Sequence, residues 1–297
     1  MRILLTGRTG QVGHELECSL RGSGDIIAMD RSQMDLSDLA QVRDVVRSVK
    51  PDLIINPAAY TAVDKAESEP ELAMRINGEA PGVMAEEAKK IGAAMIHYST
   101  DYVFDGSKDT PYLETDRTCP INVYGKTKLA GEQAVQAAGI PHLILRTSWV
   151  YGMHGKNFLL TMLRLAQERD ELRIVADQHG SPTWCRTIAE GTAAIVAQIN
   201  DAQDGRDWLR QHSGIYNLTS QGQTTWYGFT KAILEHANID KKPRLTPIST
   251  QEYPLPATRP AYSVMSGEKF INNFLNLPTW EDALVSCLQN KTFSDNV

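Results

Sequence analysis

Two short stretches carry the side chains best suited to chemistry. "STDYVFDG" puts Ser99, Thr100 and Asp101 at the end of an apolar run, and "NVYGKTK" puts Tyr124 and Lys128 four residues apart. Four residues is about one helical turn, so the phenol and the ammonium share a helix face. Tyrosine is a weak acid, with an ordinary pKa of about 10. A neighbouring ammonium and an oxidised nicotinamide would favour the phenolate and bring Tyr124 towards the range useful for proton transfer. Lys128 can also hold the nicotinamide ribose hydroxyls. Thr100 can hydrogen-bond the carbonyl oxygen that Tyr124 protonates, and two donors on one oxygen polarise it for hydride attack. A Tyr and a Lys at this spacing more often form a solvated face. The elements around them shift the reading towards a site.

Those elements follow a regular rhythm. The runs "RILLT", "DIIAM", "DLIIN", "AAMIHYS" and "HLILRTS" alternate with helix-length amphipathic segments, which predicts an α/β fold with a doubly wound, Rossmann-type parallel sheet. Helices are expected from near Gln11, over "DLAQVRDVVRSV", and over "EPELAMRINGEAPGVMAEEAKKIG", where Pro81 is expected to start a second helix. Past Trp149 the rhythm loosens. "NFLLTMLRLAQERD" and "RTIAEGTAAIVAQIN" read as helices, "ELRIV" as a strand, and "TPISTQEYPLPATRPAYS" as loops held against a surface. The expected division is a dinucleotide-binding domain over 1–150 and a smaller, mainly substrate-binding part over 151–297, some of whose segments return to the core. No internal repeat is present.

Gly7, Gly10 and Gly13 fall at the first strand-to-helix junction, where backbone N–H groups and a helix N-terminus can face a pyrophosphate. The GxxGxxG spacing alone indicates no more than a tight turn, and its place in a parallel-sheet pattern points to a dinucleotide. At the end of the second run, Asp30 suits ribose hydroxyls while Arg31 suits a 2′-phosphate, so NADPH and NADH both remain open. Asp35 and Leu36 border the adenine or, equally, cap the next helix. The small Ala58 and Ala59, followed by Tyr60, leave room for ribose and nicotinamide, with simple packing as the rival account. Arg259 in "ATRPAYS" can fork onto a diphosphate or base, or tie down its own loop. Asn122 fixes the start of the Tyr124 helix.

Composition narrows the class. The chain has 297 residues, 42% of them hydrophobic, and a formal charge of -6, which suits a globular core and disfavours general nucleic-acid or membrane-surface binding. No run approaches the length of a membrane span, and "MRILLTGRTG" has no signal-peptide layout, so a cytoplasmic protein is expected. Cys18, Cys119, Cys185 and Cys287 are scattered and indicate neither a zinc site nor a disulfide framework.

The segments "TGRTGQVG", "STDYVFDG", "NVYGKTKLAGE" and "RTSWVYG", with "DQHGSPT" and the late "RPAYS", resemble the extended short-chain dehydrogenase/reductase superfamily over nearly the whole chain. Within it the similarity is strongest to reductases of dTDP-sugars. The resemblance implies that Tyr124 is the proton donor, Lys128 its partner and cofactor clamp, and Thr100 the third member. It implies that Gln11 and Val12 touch the pyrophosphate, that Ala58, Ala59 and Tyr60 line the cofactor cleft, and that Trp149 forms an indole wall against the deoxysugar. The implied reaction is NAD(P)H-dependent reduction of the 4-keto group of dTDP-4-dehydro-6-deoxy-L-mannose to dTDP-L-rhamnose. Dehydratases of the superfamily carry Thr-Asp-Glu where this chain has Thr100-Asp101-Tyr102, so simple ketone reduction is favoured. Asp101 is left to hydrogen-bond sugar hydroxyls or cap its loop. The alternatives are a cofactor-binding regulatory subunit and a reductase or epimerase acting on another sugar nucleotide. A monomer or homodimer is expected. Some relatives look like dimers with a divalent metal held by glutamates. Glu15 fits such a pattern, but Arg186 and Gln289 stand where further glutamates would be, so no metal is expected.

Overall fold

Alternate residues of the strand Arg2–Leu5 enter different cores: Ile3 and Leu5 face one side of the sheet and Leu4 the other. The same alternation runs through Leu53–Asn56, Ala94–Thr100 and His142–Thr147, where Ile55, Ile96 and Leu145 share the first core and Ile54, Met95 and Ile144 the second. A sheet buried on both faces needs helices on both. In the computed structural model, which describes residues 1–239 and 242–289, it has them.

The sheet is six-stranded and parallel, in the spatial order Gly214–Asn217, His142–Thr147, Ala94–Thr100, Leu53–Asn56, Arg2–Leu5, Asp25–Ala28. The chain runs outward from the first strand to the second, then crosses back to build the rest on the other side. That reversal leaves a crevice at the carboxyl ends of Arg2–Leu5 and Leu53–Asn56, the usual ligand position in such sheets. Pairing of Leu5 with Ile55 makes the two following loops leave side by side.

Local signals account for most helix limits. Gln11–Ser19 starts at Gly10, and Leu39–Val49 is capped by Asp38, whose side chain accepts from the N–H groups of Ala40 and Gln41. Pro81 stands in the first turn of Ala80–Ile91, as its missing N–H favours. The residues before it do not break the chain, however. Pro70–Met74 runs into Arg75–Glu79, a π-helical turn. Pro81 cannot bond the carbonyl of Asn77, so the ladder there shifts register.

The second half divides its packing. The helix Cys185–Asp201 adds Ile188, Ile195 and Val196 to the core that contains Leu16 of Gln11–Ser19, and Gly214–Asn217 extends the main sheet. A third core gathers Tyr151, Leu163, Ile174, Phe229 and Trp280. Beside it Glu171–Val175 pairs in parallel with Arg244–Ile248, so "TPI" of the expected loop region is strand. Among the described residues no helix is long and apolar enough to cross a membrane.

Candidate active site

A cleft of about 640 Å³ opens where the strand order reverses. Its floor is the glycine turn. Gly7 has φ +60, a left-handed conformation that suits glycine, and a side chain there would press on Ala58 at 2.9 Å. A side chain on Gly13 would collide with the Gly7 carbonyl. The turn brings Gln11, Val12 and Gly13 to the cleft at the start of a helix that has no side-chain cap. Uncapped N–H groups at a helix N-terminus favour an anion, so these residues fit a dinucleotide pyrophosphate.

The opposite wall is Pro57–Tyr60. Ala58, Ala59 and Tyr60 all line the cleft. Tyr60 is held at three points: its N–H donates to Asn77 Oδ1 at 2.8 Å, its carbonyl accepts from Asn77 Nδ2 at 3.0 Å, and its phenol donates to Glu69 at 2.7 Å. Asn77 also donates to Thr127 Oγ1 at 3.1 Å, joining this wall to the Val123–Ala138 helix. Sequence reasoning missed Asn77, which sits in the π-helical turn and is only 1% exposed. Its one signal was the irregularity that Pro81 announces.

Tyr124 and Lys128 lie on one face of Val123–Ala138 and line the cleft. Asn122 caps this helix by accepting from Gly125 N–H at 2.8 Å, and its amide donates to the Thr258 carbonyl at 2.8 Å. Gly125 lets the helix approach the Tyr102 backbone, where a side chain would clash. Lys128, 3% exposed, donates to the Tyr98 carbonyl at 2.6 Å. Burial pushes its ammonium down to about 8, against the pull of Glu132. Tyr124 departs from expectation: burial raises its phenol to about 12, which hydrogen bonding with Thr100 only partly offsets. In the protein alone, desolvation of the phenolate outweighs any help from the lysine. A neutral phenol is the form a proton donor requires.

Thr100 and Asp101 line neither this cleft nor the second one described below. The Thr100 hydroxyl donates to Asp101 Oδ1 at 2.9 Å, and Ser148 donates to Asp101 Oδ2 at 3.1 Å. Asp101 turns inward and is 3% exposed. The Tyr102 ring packs edge-on to Tyr124 at 5.9 Å.

At the adenosine end Arg31, Asp35 and Leu36 line the cleft, and Asp30 does not. The Asp30 carboxylate accepts from the N–H and hydroxyl of Ser32, which hold it below the usual carboxylate range. Asp35 accepts from Ser37 and from Arg31 Nε at 3.2 Å. The helix cap that Asp35 rivalled falls to Asp38. Lys156 and Gly155 also line the cleft, a contribution of the second half that the sequence reading passed over. Their loop is pinned to the glycine turn: Asn157 donates to Gln11 Oε1 at 2.8 Å, and His154 stacks on His14 at 4.3 Å.

A second cleft of about 860 Å³ is lined by Phe158, Arg173, Gln178, Trp226, Tyr253 and Arg259, among others. Arg259 forks onto Asp64 with Nη1 at 3.0 Å and Nη2 at 2.8 Å, and this tie crosses from the last loops to the helix that follows Tyr60. Trp149 was expected to present its indole to a sugar. Its ring is stacked on Trp226 at 3.5 Å and 4°, with Gly180 against it, and its backbone has φ +46. A bulky residue in that conformation is strained and needs such packing to hold it. Trp226 is the indole on the second cleft. It was missed because a tryptophan in the first turn of a helix looks like ordinary core.

Arg186 donates to the Glu15 carboxylate at 3.0 Å, so a guanidinium brings the positive charge there. Among the described residues no group of three or more metal-ligating side chains is assembled.

Residues 1–293 match the family described as the RmlD substrate binding domain. A dTDP-4-dehydrorhamnose reductase of Burkholderia thailandensis is 48% identical, covering 98% of this chain and 99% of that protein. The dTDP-4-dehydrorhamnose reductase of Escherichia coli K12 is 47% identical over 95% of each chain. Among solved structures, the Bacillus anthracis dTDP-4-dehydrorhamnose reductase in complex with NADP superposes with a TM-score of 0.86 at 37% identity, covering 97% of this chain and 99% of that one.

Proposed function

This chain belongs to the RmlD substrate-binding-domain family, and from that premise we propose that it reduces the 4-keto group of dTDP-4-dehydro-6-deoxy-L-mannose with NADPH or NADH, giving dTDP-L-rhamnose. The observation that carries the reading is a shared cleft: Tyr124 and Lys128 line the same hollow as the glycine turn. A reduced nicotinamide bound there supplies the hydride for the sugar C4. Tyr124, kept neutral by burial, holds the proton for the sugar oxygen. Lys128, one turn on, holds the ribose hydroxyls. The N–H groups of Gln11, Val12 and Gly13 receive the pyrophosphate, and Ala58 and Ala59 leave space for the ring.

Arg31 on the cleft wall favours NADPH, because a guanidinium that exchanges Asp35 for a 2′-phosphate keeps a fork of donors engaged. Asp30 contributes by shaping its turn. The second cleft takes the nucleotide diphosphate of the substrate, with Arg259 and Arg173 as its cations and Trp226, backed by Trp149, as its apolar wall. In this arrangement 1–150 serves the cofactor and 151–297 mainly the substrate, in a cytoplasmic monomer or homodimer.

The test is loss of NADPH absorbance with purified protein and the 4-keto sugar nucleotide formed in situ by an epimerase. Oxidation with dTDP-L-rhamnose as product is the expected result. Tight cofactor binding without oxidation of NADPH or NADH would overturn the proposal.

A further inference from the structure

Two distant segments are tied to the first turn of the Tyr124 helix. Val123 N–H donates to Glu67 Oε1 at 2.8 Å, just past the Val63–Ala66 helix, and the Asn122 amide donates to the Thr258 carbonyl at 2.8 Å. Asn122 uses both arms of its side chain. Its Oδ1 caps the helix by accepting from Gly125 N–H at 2.8 Å, while its Nδ2 crosses to a segment 136 residues along the chain. The residue is 2% exposed, so water is not at hand to replace either bond.

Thr258 belongs to the wall of the second cleft, together with its neighbours Ala257 and Arg259. The same three residues are gripped from another side by Asp64 of the Val63–Ala66 helix, which accepts from Ala257 N–H at 3.2 Å and from the Arg259 fork. That short helix follows Thr61 and Ala62, which line the first cleft. One junction therefore joins the cofactor wall, the wall of the second cleft and the turn that carries Tyr124.

We infer that Asn122 is a positioning residue that registers the Tyr124 phenol against the sugar-nucleotide cleft through its bond to Thr258. The inference rests on the reductase reading above. In that reading the glycine turn grips the cofactor and the second cleft grips the substrate, on separate parts of the chain. The sugar carbonyl must meet nicotinamide and phenol together, and a misplacement of about 1 Å can cost roughly a hundred-fold in rate. Asn122 supplies a short, buried bond between the substrate wall and the helix, two residues from the phenol. A helix cap asks only for an acceptor, which Ser or Asp provides as well. Asparagine adds, on a second arm, the donor that a carbonyl needs.

The experiment compares Asn122→Ser, Asn122→Asp and Asn122→Ala with the wild type in ketone reduction. Serine keeps the cap and is too short to reach Thr258, and aspartate keeps the size and the cap without a donor at neutral pH. If the bond to Thr258 positions Tyr124, kcat should fall by about ten- to a hundred-fold in all three variants. The sugar-nucleotide KM and the NADPH dissociation constant should stay within about three-fold, since the groups that bind each ligand remain. Melting temperatures of the serine and aspartate variants should lie close to that of the wild type, because the helix start stays capped.

A kcat near the wild-type value in Asn122→Ser or Asn122→Asp overturns the inference, whatever Asn122→Ala does, and leaves Asn122 as a cap alone. So does a rise of about ten-fold or more in the sugar-nucleotide KM with kcat retained, which would confine the bond to shaping the cleft. If the wild type turns over no 4-keto sugar nucleotide, the reductase reading fails on its own. The tie is then tested without substrate by hydrogen exchange of the ligand-free protein, read by mass spectrometry. Amides of 257–259 should exchange about ten-fold faster in Asn122→Ser, and unchanged exchange overturns the tie.

Discussion

The two clefts are built from different materials. The first is made largely of backbone at strand ends: the glycine turn, the Pro57–Tyr60 wall and one helix face, each a short local motif. The second is made of side chains from Phe158, the Glu171–Val175 strand, Trp226 and the loop through Arg259, separated by long stretches of chain. A cofactor shared by many enzymes can be held by main-chain N–H groups that any sequence supplies. A particular sugar nucleotide needs side chains, and they can be drawn from wherever the fold brings them.

If that contrast is sound, variants in the first cleft should damage turnover and cofactor binding while leaving sugar-nucleotide affinity alone, and variants in the second should do the reverse. The largest effect is expected for Tyr124→Phe, with kcat reduced by roughly 10² to 10⁴ and little change in melting temperature. A near-normal kcat would remove Tyr124 from the chemistry. Gly13→Ala drives a methyl group into the Gly7 carbonyl. It should destabilise the protein by about 1–3 kcal/mol and raise the NADPH KM, read by thermal melts and initial rates.

Arg259→Ala sharpens the contrast from the other side. Its guanidinium depresses the Asp64 carboxyl and lines the second cleft. The sugar-nucleotide KM should rise by about ten-fold or more with the NADPH KM unchanged. An equal rise in both constants would mean that the Asp64 tie couples the clefts and that they are not separate. The smallest effect is expected for Lys156→Ala. An exposed lysine on the cofactor cleft should contribute only a few-fold to NADPH binding, an effect that fades as ionic strength rises.

Much of the first cleft was legible in the chain because its geometry is local. Gly7, Gly10 and Gly13 follow a strand, and Tyr124 and Lys128 sit one turn apart whatever surrounds them. Ala58, Ala59 and Tyr60 leave their strand beside the glycine turn because Leu5 pairs with Ile55. The stacking of Trp149 on Trp226 was not legible, since nothing in either segment announces the other. Asn77 was hidden by a similar cause: its hydrogen bonds to Tyr60 and Thr127 reach 17 and 50 residues along the chain.

By itself, then, the sequence determined the parallel sheet, the reversal that makes a crevice, and the spacing of phenol and ammonium, all consequences of backbone period and turn chemistry. Only the tertiary structure decided how those groups behave. Burial, which no local window contains, pushes Tyr124 up and Lys128 down. The pairing of Arg259 with Asp64 spans 195 residues. The Thr100 hydroxyl donates to a carboxylate that Ser148, 47 residues along the chain, also holds. A proton's direction depends on which groups surround it in space, and the order of residues along the chain does not record that.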